Sequence, residues 1–216
     1  MLAKPAPRKR LPAAERKLQI AEATLQILAR QGVRELTAQS IARAVGIQDG
    51  SLFRHFDSIE AMVAAAIDLF EARMAESFPT EGPEPLDQLR RFFLHRANLV
   101  SAHPDVMRLA FNDRLIEVAG NEGTLKVQQM VTRSLAFVRT CLDEAQRKQM
   151  VRKDVPAEVL VWTVVGVLRG SSGATASLPA KRPPMKPAQA WRAVEALLVA
   201  TPSVGKAAPA RKRKQK

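Results

Sequence analysis

The segment from Leu36 to Glu60 constrains the fold more than any other part of the chain. It reads LTAQSIARAVGIQDGSLFRHFDSIE, which predicts two short helices joined by a tight glycine turn, with another helix directly after them. Thr37 is the predicted N-cap of the first helix, because its hydroxyl can accept an unpaired amide hydrogen of the next turn. Gly46 is predicted to end that helix where the chain needs a positive φ, which glycine adopts at little cost.

Apolar residues within this segment fall where two crossing helices would touch. Ile41, Ala42 and Val45 form a stripe at helical spacing, and the small side chain of Ala42 allows a close crossing. Ile47 and Leu52 can fill the space beside that stripe. The segment is therefore predicted to fold as a helix-turn-helix unit.

The second helix of the unit is too short and too polar to be a core helix. Its open face carries Ser51, Arg54 and His55. An ordinary pair of packed helices is the alternative, but the polar face favours a helix that reads DNA in the major groove. We expect base-edge or nearby contacts from Gln39, Gln48, Ser51, Arg54 and His55, and backbone contacts from Thr37 and Phe53. Gly50 would let the helix approach the DNA backbone without a side chain in the way.

Several of these residues resemble the N-terminal signature of the tetracycline-repressor (TetR) family, whose usual form is T-x-x-x-I-A-x-x-A-G-V-S-x-G-x-L-Y-x-H-F-x-x-K. The matching positions are Thr37, Ile41, Ala42, Gly46, Gly50, Leu52, Phe53, His55 and Phe56. The resemblance is specific over residues 14–60 and only architectural over the remainder. It implies an all-α fold of about nine helices, with a DNA-binding head and a larger helical domain that binds a small molecule and dimerises.

Three positions predict that this motif binds phosphate less well than its relatives. Phe53 stands where the family has tyrosine, so the phenolic hydrogen bond to phosphate is absent. Ile59 replaces the family's lysine at the start of the fourth helix, which removes another phosphate contact. Asp49, in the turn, adds negative charge near the DNA backbone.

Both ends of the chain are strongly basic. The formal net charge is +13, of which residues 1–12 supply +4 and residues 205–216 supply +6. These ends hold too little apolar surface to fold, so they are predicted to be disordered. They are either solvated tails without a role or a source of phosphate attraction that offsets the weaker phosphate binding of the motif. Arg10 is the candidate for an arm that enters the minor groove.

The predicted organisation is a basic arm over 1–12, a helix-turn-helix domain over 13–57, a ligand-binding and dimerisation domain over 58–201, and a basic tail over 202–216. Apolar periodicity predicts further helices over about 12–30, 58–78, 86–102, 104–118, 124–150, 156–178 and 187–201. The run Gly120-Asn121-Glu122-Gly123 is predicted to be a turn. There is no β-alternation of useful length and no internal repeat.

The predicted helix over 156–178 leaves almost no polar face, so both of its sides must be covered. One side can face its own core and the other a second subunit, which matches the four-helix dimer interface that the resemblance implies. A buried monomer core helix is the alternative. The candidate interface residues are Trp162, Gly166, Gly170, Trp191, Val194 and Leu198. A twofold dimer would place two reading helices about 34–36 Å apart on a palindrome.

The resemblance also implies a small apolar or amphipathic effector bound among the central helices. Most of the candidate lining residues could equally be plain core, and the polar ones would orient a ligand. Cys141 is expected to be a small buried hydrophobe rather than a redox sensor. The candidates are Phe70, Met74, Phe92, His95, Leu99, Met107, Phe111, Phe137, Cys141, Trp162, Val165 and Arg169.

Composition argues against several other functions. His95 and His103 are badly spaced for metal binding and lack cysteine or carboxylate partners, and no phosphate loop or nucleophile elbow is present. We therefore expect no enzyme activity, cofactor or metal.

A lone cysteine, Cys141, excludes an intramolecular disulfide, and no apolar run reaches about 18 residues. We therefore expect a cytoplasmic, nucleoid-associated protein without a membrane partner.

The predicted function is a DNA-binding transcriptional regulator, and a repressor is the favoured role. It is expected to bind a palindromic operator as a homodimer and to be released by its effector. The alternative is an architectural or partner-docking DNA-binding protein with the same fold and no small-molecule effector. The basic ends would then coat DNA broadly.

Overall fold

A computed structural model describes residues 11–79, 82, 84–102, 114–171 and 185–199, and all regular elements in these ranges are helices. The predicted all-α fold is confirmed. Of the predicted site residues, Arg10, Met107 and Phe111 lie outside the described residues, as do most of both basic ends. The helices are α1 (Ala13–Arg30), α2 (Ala38–Val45), α3 (Asp49–Leu52), α4 (Ile59–Ala75), α5 (Pro85–Ala102), α6 (Arg114–Arg147), α7 (Ala157–Ser171) and α8 (Pro187–Leu198), with a 3-10 turn at Val33–Glu35.

Helices α1 to α4 enclose a small apolar core, which we call the head cluster. Ile41, Ala42 and Leu52 are completely buried in it, as the stripe in the sequence predicts. The remaining buried members come from α1 and the start of α4: Ile20, Ile27 and Met62. Because α2 and α3 bury their apolar sides here, their polar sides are left outside.

A second core, the bridging cluster, joins this head to the rest of the chain through α1, α4 and α6. Its buried members are Leu25, Leu28, Val63, Ala66, Ile67, Phe70, Met74, Val127 and Met130. Arg73 of α4 pairs with Glu22 of α1 at the edge of this core, and Lys126 Nζ of α6 lies 2.6 Å from Asp68 Oδ1 of α4. Helix α4 is therefore held along its length by both neighbours.

The largest core, the body cluster, is built from α5 to α8. Phe93 of α5 packs against Trp191 of α8, with ring centroids 5.5 Å apart. Val138, Cys141 and Leu142 face this core from α6. Trp191, Val194 and Leu198, which the sequence assigned to a dimer interface, are buried here within one chain.

The chain between residues 114 and 147 differs from the prediction. The predicted four-residue turn at Gly120–Gly123 is a kink of one residue, since only Gly120 leaves the helical region, at φ 60° and ψ −175°. The helix resumes at once, because Thr124 Oγ1 donates to Gly120 O at 2.7 Å and Gly123 is small enough to sit against α4. The predicted helix over 104–118 lies mostly outside the described residues.

Candidate functional site

Hydrogen bonds fix both ends of α2, where the sequence predicts an N-cap at Thr37 and a helix end at Gly46. Thr37 caps α2, with Ser40 N donating to Thr37 Oγ1 at 3.1 Å and Thr37 N donating to Ser40 Oγ at 3.0 Å. Gly46 ends α2 in the left-handed region, at φ 72° and ψ 40°. The amide of Ile47 then donates to Ala42 O at 3.0 Å, which closes the turn. The conformation of Gly46 and the bond from Ile47 set the angle at which α3 leaves α2.

Helix α3 is very short, since its α-helical part covers only Asp49–Leu52. One further turn follows, in which the amides of His55 and Phe56 donate to Leu52 O at 2.9 and 3.1 Å. Lys17 Nζ of α1 lies 5.6 Å from the centroid of the Phe56 ring. The end of α3 is therefore tied to both the head cluster and α1.

The outer side of this unit, which we call the reading face, consists of the predicted DNA-binding residues. Phe53 is 47% exposed, and Ser51 and His55 are half-buried. A Cβ added to Gly50 would meet no atom within 4 Å, so this part of α3 is open. The remaining predicted contacts, Thr37, Gln39, Gln48 and Arg54, are all exposed. Such a face, rigid beneath and open outside, can be inserted into a DNA groove.

A cavity of about 60 Å³ lies deeper in the chain, between α4, α5, α6 and α7. Its walls are mostly apolar, and the polar groups among them come from Arg96 and Ser134. The lining residues are Met74, Phe92, Arg96, Met130, Val131, Ser134, Leu135, Val138, Val165 and Leu168. An apolar cavity with a few placed polar groups is the usual form of a small-molecule site.

Arg96 is the charged residue of this cavity, and its side chain is only 6% exposed. Its Nε donates to Ser77 Oγ at 2.6 Å, and its Nη2 donates to Met74 O at 3.2 Å and to Ser134 Oγ at 3.1 Å. Burial lowers the pKa of Arg96 to about 10, so the guanidinium is still charged at neutral pH.

The sequence of the DNA-binding head, formed by α1 to α4, matches a known family. A sequence profile described as bacterial regulatory proteins of the tetR family matches residues 20–66, which span most of α1 and all of α2 and α3. Over these residues the chain carries the helix-turn-helix DNA-binding domain of the TetR family, as the resemblance in the sequence implied. No curated protein matches the chain by sequence.

Several solved structures share the fold over most of this chain. The ketosteroid transcriptional regulator KstR2 of Mycobacterium tuberculosis has a TM-score of 0.69 and 19% identity, covering 86% of this chain and 96% of its own. The fatty acid degradation regulator FadR from Bacillus halodurans has a TM-score of 0.62 and 18% identity, covering 88% and 97%. AibR, in complex with isovaleryl coenzyme A and operator DNA, has a TM-score of 0.65 and 18% identity, covering 85% and 98%.

The predicted ligand-binding residues of this chain are distributed over several places. Met74, Phe92 and Val165 line the cavity. Phe70 and Leu99 belong to the bridging cluster, and Phe137 and Cys141 to the body cluster. The remaining described candidates, His95, Trp162 and Arg169, have exposed side chains, so they do not line it.

Sequence reasoning missed Arg96 as a site residue and chose its neighbour His95. Consecutive residues of a helix point about 100° apart, and on α5 Arg96 faces the interior whereas His95 is exposed. The available signal was the spacing from Leu89 and Phe92, which places Arg96 on the apolar stripe of α5. The wall contributed by α6, including Val131, Ser134 and Val138, was also missed.

Helix α7 carries an exposed face that the described part of the chain does not cover. Trp162 is 60% exposed, and Val159 on the same side is also exposed. A Cβ added to Gly166 or Gly170 would meet no atom within 4 Å. We call these four residues the α7 face. The other predicted interface residues, those of α8, fill the body cluster and are not available to a second subunit.

Within the described ranges, no cluster of three or more histidine, cysteine or acidic side chains could hold a metal ion. Among the same residues, no helix combines the length and the apolarity that crossing a membrane requires.

Proposed function

We propose that this chain is a ligand-responsive transcriptional repressor that binds a palindromic operator as a homodimer and is released by a small amphipathic effector. The observation that carries the proposal is the position of α4. This helix supplies Met62 to the head cluster and Met74 to the cavity wall. A ligand that changes the packing around Met74 therefore acts on a helix that also supports the reading face.

The bound molecules of two structural relatives support an acyl compound as the effector. FadR from Bacillus subtilis is in complex with stearoyl-CoA, and AibR is in complex with isovaleryl coenzyme A. The apolar wall formed by Phe92, Val138 and Leu168 suits the hydrocarbon part of such a molecule. We propose an acyl-type effector for this chain on that ground.

The α7 face supports a twofold dimer. A large exposed tryptophan beside glycines that leave the helix backbone open favours packing against a second helix. Two copies joined in this way would present two reading faces, and a palindromic site repeats its sequence in the same symmetry.

Arg54 provides the test of DNA reading. Selection from random DNA should first yield a palindromic operator, whose affinity is then measured by fluorescence anisotropy. Arg54→Ala should lose roughly 1–3 kcal/mol of operator binding and relax the preference at one base position in each half-site, as expected for bidentate contact with guanine. Arg90→Ala, which removes an equal charge from an exposed position of α5, is the matched control.

Two results would contradict the proposal. If Arg54→Ala keeps the full sequence preference, this residue does not read the operator. If selection yields no preferred sequence and chromosomal binding is diffuse, the architectural role is favoured over the repressor.

A further inference from the structure

Among the described residues, the buried guanidinium of Arg96 has no acidic partner. All its acceptors among the described residues are neutral: two serine hydroxyls, the carbonyl of Met74 and, at 2.8 Å from Nη1, the Sδ of Met74. The hydroxyl of Ser77 itself donates to Met74 O and that of Ser134 to Met130 O, which turns both serine oxygens toward the guanidinium. The described part of the site thus orients a positive charge but does not neutralise it.

Phe92 and Phe78 compensate part of that charge. The guanidinium carbon lies 5.0 Å from the ring centroid of Phe92 and 5.6 Å from that of Phe78. Cation–π contacts of this kind stabilise a cation without removing its charge. A buried cation at an apolar cavity still gains most from an anion, because the surroundings weaken attraction far less than water does.

We infer that the effector carries a carboxylate that pairs with Arg96, while its apolar part lies among the side chains of α5, α6 and α7. This inference rests on the proposed function, and it specifies the chemistry of the effector. The planar fork of arginine can hold both oxygens of a carboxylate, which a neutral alcohol or amide cannot match. The wall beside Arg96, including Val138 and Val165, is apolar and suits a hydrocarbon chain.

The same pairing explains how the effector would act on α4. Arg96 holds the carboxyl end of α4 through the carbonyl and sulfur of Met74 and through the hydroxyl of Ser77. A carboxylate that takes the Nη groups competes for the bonds to Met74. Effector binding therefore loosens the end of α4 from α5, and Arg96 is both a ligand-binding residue and a positioning residue for α4.

The test compares straight-chain carboxylates of 4 to 12 carbons with the alcohols of equal length. Binding to the DNA-free full chain is measured by calorimetry, and release of the operator by anisotropy. The best carboxylate should bind roughly 10- to 100-fold more tightly than its alcohol, as expected for hydrogen bonds to charged groups. Arg96→Met should abolish this preference, and Arg96→Lys, which keeps the charge without the fork, should retain a reduced preference.

Arg133→Met is the matched control, since Arg133 also lies over Phe78, at 4.6 Å, but is exposed. It should keep the preference for the acid. Equal binding of acid and alcohol by the unchanged chain would overturn the inference, and so would an unchanged preference in both Arg96 variants. Binding of octanoyl-CoA without binding of any free carboxylate would overturn it while leaving the proposed function intact. If the proposed function itself were wrong, selection from random DNA would yield no preferred operator.

Discussion

Cys141 illustrates at the residue scale how burial decides chemistry. Its side chain is 3% exposed within the body cluster. Burial, with a smaller contribution from the negative charge of Glu144, raises the pKa of the thiol to about 11. Because the thiolate is the reactive form, almost none of it exists at neutral pH in the folded chain.

We therefore predict that Cys141 is inert to alkylation in the folded protein. Iodoacetamide at pH 7.5 should label the native chain far more slowly than the chain unfolded in guanidinium, and labelling should accelerate as the pH approaches about 11. Mass spectrometry of the intact protein measures the extent, with Cys141→Ser as the unlabelled control. Native labelling as fast as that of the unfolded chain would show that the thiol is accessible.

At the scale of elements, the contact between α4 and α6 depends on Gly123. A Cβ at this position would lie 2.7 Å from Ile67 Cδ1 and 2.8 Å from Ala119 Cβ. Ile67 is buried in the bridging cluster, so its side chain has little room to move away. The two helices can pack at this distance because the residue has no side chain.

Gly123→Ala should therefore lower the free energy of unfolding by roughly 1–3 kcal/mol, as overpacking in a core does. Urea denaturation followed by circular dichroism measures the change. Gly50→Ala is the control, because a Cβ there meets no atom within 4 Å and should leave stability nearly unchanged. Equal stability of the two variants would mean that α4 and α6 separate easily.

Sequence patterns predicted the elements well wherever one face of a helix is covered by its own chain. The predicted helix over 12–30 corresponds to Ala13–Arg30, and that over 86–102 to Pro85–Ala102. The four-residue turn at Gly120 was wrong in extent, because a glycine in the sequence only indicates that a break is permitted. It does not show that Gly123 is required by the packing of α4.

The candidate site was harder to predict for the same physical reason. Periodicity identifies an apolar face but not what covers it, so Trp191 was assigned to a second subunit although it fills the body cluster. A charged residue on an apolar stripe, such as Arg96, becomes meaningful only when its neighbours are known. The neutral acceptors Ser77 and Ser134 come from other parts of the chain, and no spacing in the sequence brings them together.

At the scale of the whole molecule, the α7 face predicts how copies associate. Trp162→Glu would place a charge where we propose that a second subunit packs, and it should convert the dimer to a monomer. Sedimentation velocity measures the change, and affinity for the full palindrome should fall toward that for a half-site. Leu125→Glu, at another exposed apolar position, is the control and should leave the assembly unchanged. A chain that is monomeric before any substitution would contradict the proposed dimer.

In the proposed mechanism, the length of α4 would determine how far the DNA-binding head moves when the effector binds. Its 17 residues span about 25 Å. A tilt of about 5° around the end at Met74 would displace the other end, at Ile59, by about 2 Å. If the two copies tilt oppositely, the distance between their reading helices changes by about 4 Å, more than one base-pair step of about 3.4 Å. In the function we propose, an effector would therefore need only to exchange a few hydrogen bonds at one end of α4 to move the heads out of register with the operator.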